Sequence, residues 1–216
     1  MPLTTALSIL ALSGILGFGF MSRGEVPRSS TAIVASVSEP INIKLDAVHS
    51  AALFRIQHLG AGFFWGRLNA LEGTVSWPLD DSAPPSFAVT AKVANIDSGS
   101  EKLDANLQGP NFFSAKEFPE IRFVSVSGTR LGEKVWRIDG ELTLRGVTKS
   151  VSTECLVAGI GKGPMGKKVG FECTLTIKRS DFGMEWGIEK PPKMLGDEVR
   201  LIIAIEGDEV KAAVAE

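Results

Sequence analysis

The chain has 216 residues, 44% hydrophobic and 22% charged, the composition of an ordinary globular protein able to bury a core. A formal net charge of −2, with cations clustered no further than pairs such as Lys167 with Lys168, excludes a basic field for phosphates and makes nucleic acid an unexpected partner. Two histidines, no tyrosine and no G-x-S-x-G elbow leave little from which to assemble a nucleophile, a base and an orienting group.

From Leu3 to Met21 there is no charged side chain, and these 19 residues, at about 1.5 Å per helical residue, match a hydrocarbon core of roughly 30 Å. Residues 1–23 are therefore read as a signal peptide or an N-terminal membrane anchor, with the rest of the chain periplasmic or otherwise extracytoplasmic. The first cation, Arg23, follows the apolar run instead of preceding it. Cleavage and retention stay open, and the lack of a cysteine near residue 21 excludes a lipoprotein anchor. Residues 24–40, rich in Ser, Pro, Val and Ala without sustained periodicity, read as a linker, residues 41–210 as one domain and residues 211–216 as a tail.

Between Ile41 and Asp208 the dominant signal is alternation with a period of two, broken by Gly, Pro, Asp and Ser at hairpin-like intervals, which predicts antiparallel strands. Phe87, Val89, Ala91 and Val93 share one face against Thr90 and Lys92. Only the region from Glu101 to Phe118 lacks alternation, and there Leu103, Leu107, Phe112 and Phe113 suit one or two short helices, broken at Gly109 and Pro110, lying across a barrel end. Further on, Trp136, Ile138, Leu142 and Leu144 oppose Arg137, Asp139, Glu141 and Thr143, with Gly140 marking a bend or bulge. Val169, Phe171, Cys173, Leu175 and Ile177 alternate with Glu172, Thr174, Thr176 and Lys178. The last strand sets Val199, Leu201, Ile203 and Ile205 against Arg200 and Glu206. About eight strands with one-sided apolar faces stack as a sandwich or close on themselves, and closure removes exposed edges. The expected fold is all-β with short helices, an extended antiparallel eight-stranded barrel wide enough for packed side chains or one slender ligand.

His49 and His58 are nine residues apart and would face opposite sides of one strand, so no shared metal is expected. His49 reads as a hydrogen-bonded residue fixing a strand start, and His58, on the face of Phe54 and Ile56, as a ligand contact. The turn-like run Gly163 to Gly166 separates strands carrying Cys155 and Cys173, each nine residues from Pro164, so a symmetric hairpin sets them opposite each other. A disulfide in an exported protein and a pair of buried thiols are both open. Phe63, Phe64 and Trp65 suit a cap or barrel mouth. Trp186, with Phe182 and Met184 in a loop containing Pro191 and Pro192, would close the other barrel end or line the ligand path, while Arg179 and Asp181 would pin that loop through hydrogen bonds.

Several runs fall in one order. Asp46, His49, Ser50, Phe54, His58 and Gly60 follow D-x-x-H-S and F-x-x-x-H-x-G; Leu107, Gly109, Pro110, Phe112 and Phe113 precede Phe118, Pro119, Ile121 and Phe123. Then come Gly140, Leu142, Thr143, Gly146, Val147 and Thr148 as G-x-L-T-x-x-G-V-T, Arg179, Asp181, Phe182 and Gly183 as R-x-D-F-G, and Gly196 to Val199. From about Asp46 to Glu209 the chain thus resembles the YceI-like family of lipocalin-related, isoprenoid-binding proteins. Asn106 and Asn111 depart from it, standing where the family usually has His and Asp. The resemblance implies a lipocalin-like barrel holding a polyisoprenoid or similar long lipid, often outside the cytoplasm.

The expectation that follows is non-catalytic storage or transport of a long-chain isoprenoid or similar amphipathic lipid inside the barrel, with no cofactor or metal beyond that ligand. The expected wall is Phe54, Ile56, His58, Phe87, Val89 and Val93 from the first strands, Phe123, Trp136, Ile138, Phe171 and Leu175 from the middle, and Leu201 and Ile203 from the last, with Leu107, Phe112, Phe113 and Trp186 around the opening. Partners are a long-chain lipid, a membrane through the N-terminal segment and a second copy in a homodimer. The rival reading is a filled barrel acting as a ligand-free, membrane-tethered interaction or stress-response module. An enzyme built on His58 would need a base partner that spacing does not supply.

Overall fold

The alternating segments close on themselves, and the places where alternation lapses are where strands bend. The computed structural model describes residues 38–164, 166–188 and 194–210; the apolar segment, most of the linker, the tail, Met165, Pro191 and Pro192 lie outside the described residues. The elements are β1 (Ile41–Leu45), β2 (Ala51–His58), β3 (Gly62–Asn69), β4 (Glu72–Trp77), β5 (Ser86–Lys92), β6 (Ile96–Asp97), α1 (Glu101–Leu107), β7 (Glu120–Gly132), β8 (Val135–Leu144), β9 (Val147–Gly163), β10 (Gly166–Lys178) and β11 (Leu195–Val210). Every pairing is antiparallel, and β1-β4-β5-β7-β8-β9-β10-β11 form a ring because β11 returns to β1.

Three strands of this barrel are bent in two. β1 and β2 lie end to end along one edge of β11, β4 and β3 lie along them, and β5 and β6 follow. At the first bend, residues 46–50, buried Ser50 takes over the ladder: its hydroxyl donates to Glu206 O and accepts from Glu206 N, both at 3.0 Å. At the second, Ala70 adopts a left-handed φ of 56°. At the third, Val93–Asn95 wind into a 3-10 turn, which carries Val93 out of the strand pattern. The expected face of Phe87, Val89 and Ala91 holds, but Val93 does not continue it; it is buried beneath the loop before β7, donating its N–H to Pro119 O.

Two hairpins at one end turn through residues at positive φ, Arg145–Gly146 as a two-residue connection and Leu59 with Gly60 in the three-residue connection Leu59–Ala61, the twist that suits antiparallel strands. The bulge marked by Gly140 has its extra residue on the partner strand, where the register slips between Ser125 and Ser127 opposite Gly140 and Asp139. One helix, α1, forms in the region without alternation, followed by turns.

The meander places the β2–β3 and β8–β9 hairpins, α1 and the loop after β10 at one end of the barrel. The base carries the β4–β5, β7–β8 and β9–β10 connections. At the base the lumen is solid. Ile43, Val75, Trp77, Phe87, Trp136, Ile138, Val157, Val169 and Phe171 form one buried cluster, in which Phe171 meets the edges of Trp77 and Phe87 at centroid distances of 5.8 and 5.3 Å.

Candidate functional site: an apolar cavity open at one end

Above that aromatic plug the barrel is hollow. A cavity of about 480 Å³ runs from Phe87, Cys173 and Ile205 towards the α1 end, within the range of roughly 300–1,000 Å³ typical of small-molecule sites. The strand pleat builds it: Ala52, Phe54, Ile56 and His58 of β2, Phe87, Val89 and Ala91 of β5, and Val199, Leu201, Ile203 and Ile205 of β11 all point inward. Leu103 and Leu107, four apart on one face of α1, cover it together with Phe112 and Phe113.

Glycine keeps the wall thin where aromatic rings lie flat. Gly66 stands opposite Phe54 on β3, and a Cβ placed there would come within 2.4 Å of the Phe54 ring. Gly140 does the same for Phe123, whose ring would approach a Cβ to 2.5 Å. Both rings are thereby held back against the wall.

The polar side chains of the lining are few: His58, Asn106, Thr153 and Arg179. Thr153 Oγ1 donates to Thr174 O at 3.0 Å. Arg179 is buried, and its guanidinium donates to the carbonyls of Gly196, Met184 and Trp186 at 2.7–2.8 Å, pinning the loop as expected. Burial lowers its pKa, opposed by the charge of Asp197. Among the described residues Asp181 has no part in that pinning; Asp197 does, accepting from Ser180 N and Oγ at 2.9 and 2.8 Å. Hydrocarbon therefore dominates the lumen, with exposed His58 and Asn106 at its opening.

Thirteen of the seventeen expected wall residues line this cavity: Phe54, Ile56, His58, Phe87, Val89, Leu107, Phe112, Phe113, Phe123, Leu175, Trp186, Leu201 and Ile203. Four do not. Trp136, Ile138 and Phe171 point inward but belong to the plug, and Val93 lies on the 3-10 turn. Trp186 sits at the same end as α1, its ring 5.5 Å from that of Phe112, so it lines the path instead of closing the opposite end. Phe64, Leu103, Met184 and Leu195 also line the cavity without being among the seventeen; the first three fall in the segments expected at a barrel end. Alternation through Phe64, Gly66 and Leu68, and the four-residue spacing of Leu103 and Leu107, could have found the first two; Met184 and Leu195 carry no such periodic signal.

The Cys155–Cys173 register is as the hairpin symmetry required, yet the structure carries them as two free, buried thiols and not as a disulfide. Hydrogen bonding to Cys173, and then burial, hold the Cys155 thiol well above its ordinary range. His49 is hydrogen-bonded in the first bend, two residues before β2 begins at Ala51, its Nδ1 contacting Asp46 Oδ2 at 2.7 Å. Asp46, His49 and Glu206 bring three metal-ligating atoms within 4.8 Å of one another. Lys168 Nζ, however, lies 3.0 Å from Asp46 Oδ2, 3.1 Å from Glu206 Oε1 and 3.2 Å from Asp208 Oδ2, so an ammonium supplies the positive charge these carboxylates need. Hydrogen bonds from His49 and Lys168 pull Asp46 far below the ordinary carboxylate range, and Asp46 raises His49 in return.

The sequence model of the YceI-like domain matches residues 43–207. A UPF0312 protein of Photorhabdus laumondii is 34% identical over 176 residues, 80% of this chain and 89% of that protein. BcnA of Burkholderia cenocepacia shares the fold at a TM-score of 0.68 and 24% identity, over 76% of this chain and 99% of that one. A polyisoprenoid binding domain from Saccharophagus degradans superposes at a TM-score of 0.58 with 14% identity, over 79% and 99% of the two chains.

Proposed function

The chain belongs to the YceI-like family, and from that membership and the hollow half of its barrel we propose a non-catalytic, extracytoplasmic carrier that holds the tail of a long-chain isoprenoid or similar amphipathic lipid. The cavity carries the reading: about 480 Å³, walled by carbon, stopped at the base and open at the α1 end. Burial supplies the affinity, since each methylene removed from water contributes roughly 0.8 kcal/mol, partly offset by ordering the tail. A blind pocket favours insertion tail first, leaving the headgroup beside His58 and Asn106. The fold shared with a domain described as polyisoprenoid binding supports the choice of ligand. The uncharged run before Arg23 supports the location. The wall chemistry favours a carrier over an enzyme, because Thr153 and Arg179 are committed to backbone carbonyls. Native mass spectrometry of the full chain isolated from its own compartment tests this. A bound lipid with an extended apolar tail is expected, and protein that stays at its bare mass in the presence of isoprenoid would refute the carrier.

A further inference from the structure

The cavity opening is flanked by an outward surface that the carrier reading leaves unused. On β2 and β3 the side chains alternating with the lumen face are Arg55, Phe63 and Trp65, and the two rings are 56% and 46% exposed. The Arg55 guanidinium lies 3.8 Å from the Phe63 centroid and 5.9 Å from that of Trp65. Arg55 is also the direct cross-strand partner of Arg200 on β11. Like charges opposed in this way are destabilising, and among the described residues neither arginine enters an ion pair. The patch continues into the opening through Leu59, whose N–H bonds Met194 O, and through Met194 itself, both exposed and the latter part of the cavity wall.

We propose that this face docks on an anionic phospholipid surface and sets the cavity opening against the bilayer. Two guanidinium groups without an ion pair among the described residues select for negative charge, at about 1 kcal/mol per cation near such a surface. Beside them, exposed Trp65 is a side chain of the kind that settles at a membrane–water boundary, apolar ring inward and indole N–H outward, and exposed Phe63 adds apolar surface. A long-tailed lipid leaving a bilayer for a blind pocket would then pass over continuous apolar surface. That last purpose rests on the carrier reading; the docking does not. The competing occupant is a second copy of the chain, because β3 pairs with β6 only at Arg67 and Leu68 and its outer edge from Gly62 to Gly66 has no strand partner among the described residues.

The test uses the full chain and vesicles of phosphatidylcholine, alone or mixed with phosphatidylglycerol, with plain or brominated acyl chains. Emission from Trp65 is taken as the difference between the wild type and Trp65→Phe, so that attachment through the N-terminal segment does not contribute. Brominated anionic vesicles are expected to quench that difference. The Arg55→Gln/Arg200→Gln protein, checked for an unchanged melting curve, should need roughly thirty-fold more anionic lipid for the same quenching, the two cations converted at about 1.4 kcal/mol per tenfold. Equal Trp65 emission on plain and brominated vesicles overturns the proposal. So does a concentration-dependent dimer that Phe63→Ser dissolves while lipid leaves Trp65 unquenched, which would assign the face to a second copy. A protein that docks but carries no tail keeps this inference and loses the carrier; one that carries a tail with Trp65 unquenched does the reverse.

Discussion

Val89 and Val93 lie four residues apart, one either side of the end of β5, and replacing each by tryptophan separates a hollow barrel from a filled one. Val89 is half-buried, opposite Gly73 and Phe123, with its side chain on the cavity. Val93 is 1% exposed and packed under the loop before β7. An indole at 89 finds space in a lumen of about 480 Å³ and takes volume from the ligand. If it displaces about four tail carbons, the loss at roughly 0.8 kcal/mol each is about 3 kcal/mol, on the order of a hundred-fold in Kd. The same indole at 93 has no space, and overpacking costs about 1–3 kcal/mol or more. For a domain of this size that lowers Tm by roughly 5 °C, against a change of no more than about 2 °C for Val89→Trp. Displacement of a fluorescent isoprenoid and thermal melts read the two effects. Equal destabilisation by both substitutions, or undiminished lipid binding by Val89→Trp, would refute the hollow half.

Gly66→Ala should push the Phe54 ring from the wall into the lumen and weaken binding roughly tenfold, about one to two methylenes' worth, measured by the same displacement; unchanged affinity would show that the ring has somewhere else to go. At the first bend, His49 should titrate above its ordinary value of 6.5, and Asp46→Asn should bring it back, followed by the imidazole proton shifts in NMR. Stability from raised His49 is complete below 6.5 and lost as pH rises through the folded value. Stability from depressed Asp46 is present above 3.8 and lost only in strong acid. A His49 midpoint at 6.5 in the wild type would contradict the pairing. Cys155 and Cys173 should resist iodoacetamide in the fold, because both are buried and the Cys155 thiol is in addition held far above its ordinary range. Both should be alkylated after denaturation without reductant, and mass spectrometry showing neither modified would reveal a disulfide.

Much of the barrel was legible because a period of two reports which face of a strand points inward, and that property survives twist and tilt. Phe54, Val89, Leu175 and Leu201 were found this way. The same period says nothing about height along the barrel axis. Trp136 and Ile138 alternate as regularly as Leu142 and Leu144, yet the first two fill the plug and the second two line the cavity, because β8 climbs from the base to the α1 end and only the closed barrel shows where plug gives way to cavity. Alternation also runs past a strand end without a break in the sequence, so Val93 shares the pattern of Phe87, Val89 and Ala91 although a 3-10 turn rotates it away from the wall. Gly140 does mark a bulge, but the glycine's own role is to admit Phe123, and the extra residue opposite it belongs to β7. The thiol pair shows register without chemistry, since hairpin symmetry placed the sulfurs opposite each other but could not decide whether they bond.

In the proposed carrier an alkyl tail enters from the α1 end and stops at the aromatic plug. Photocrosslinking with an isoprenoid carrying a diazirine at its tail end, followed by peptide mapping, reads that depth. Adducts are expected at the cavity floor, on Phe87, Cys173 or Ile205, with none on Trp77 or Val169 beneath it. Labelling spread over the outer face, or confined to residues outside the barrel, would contradict the account.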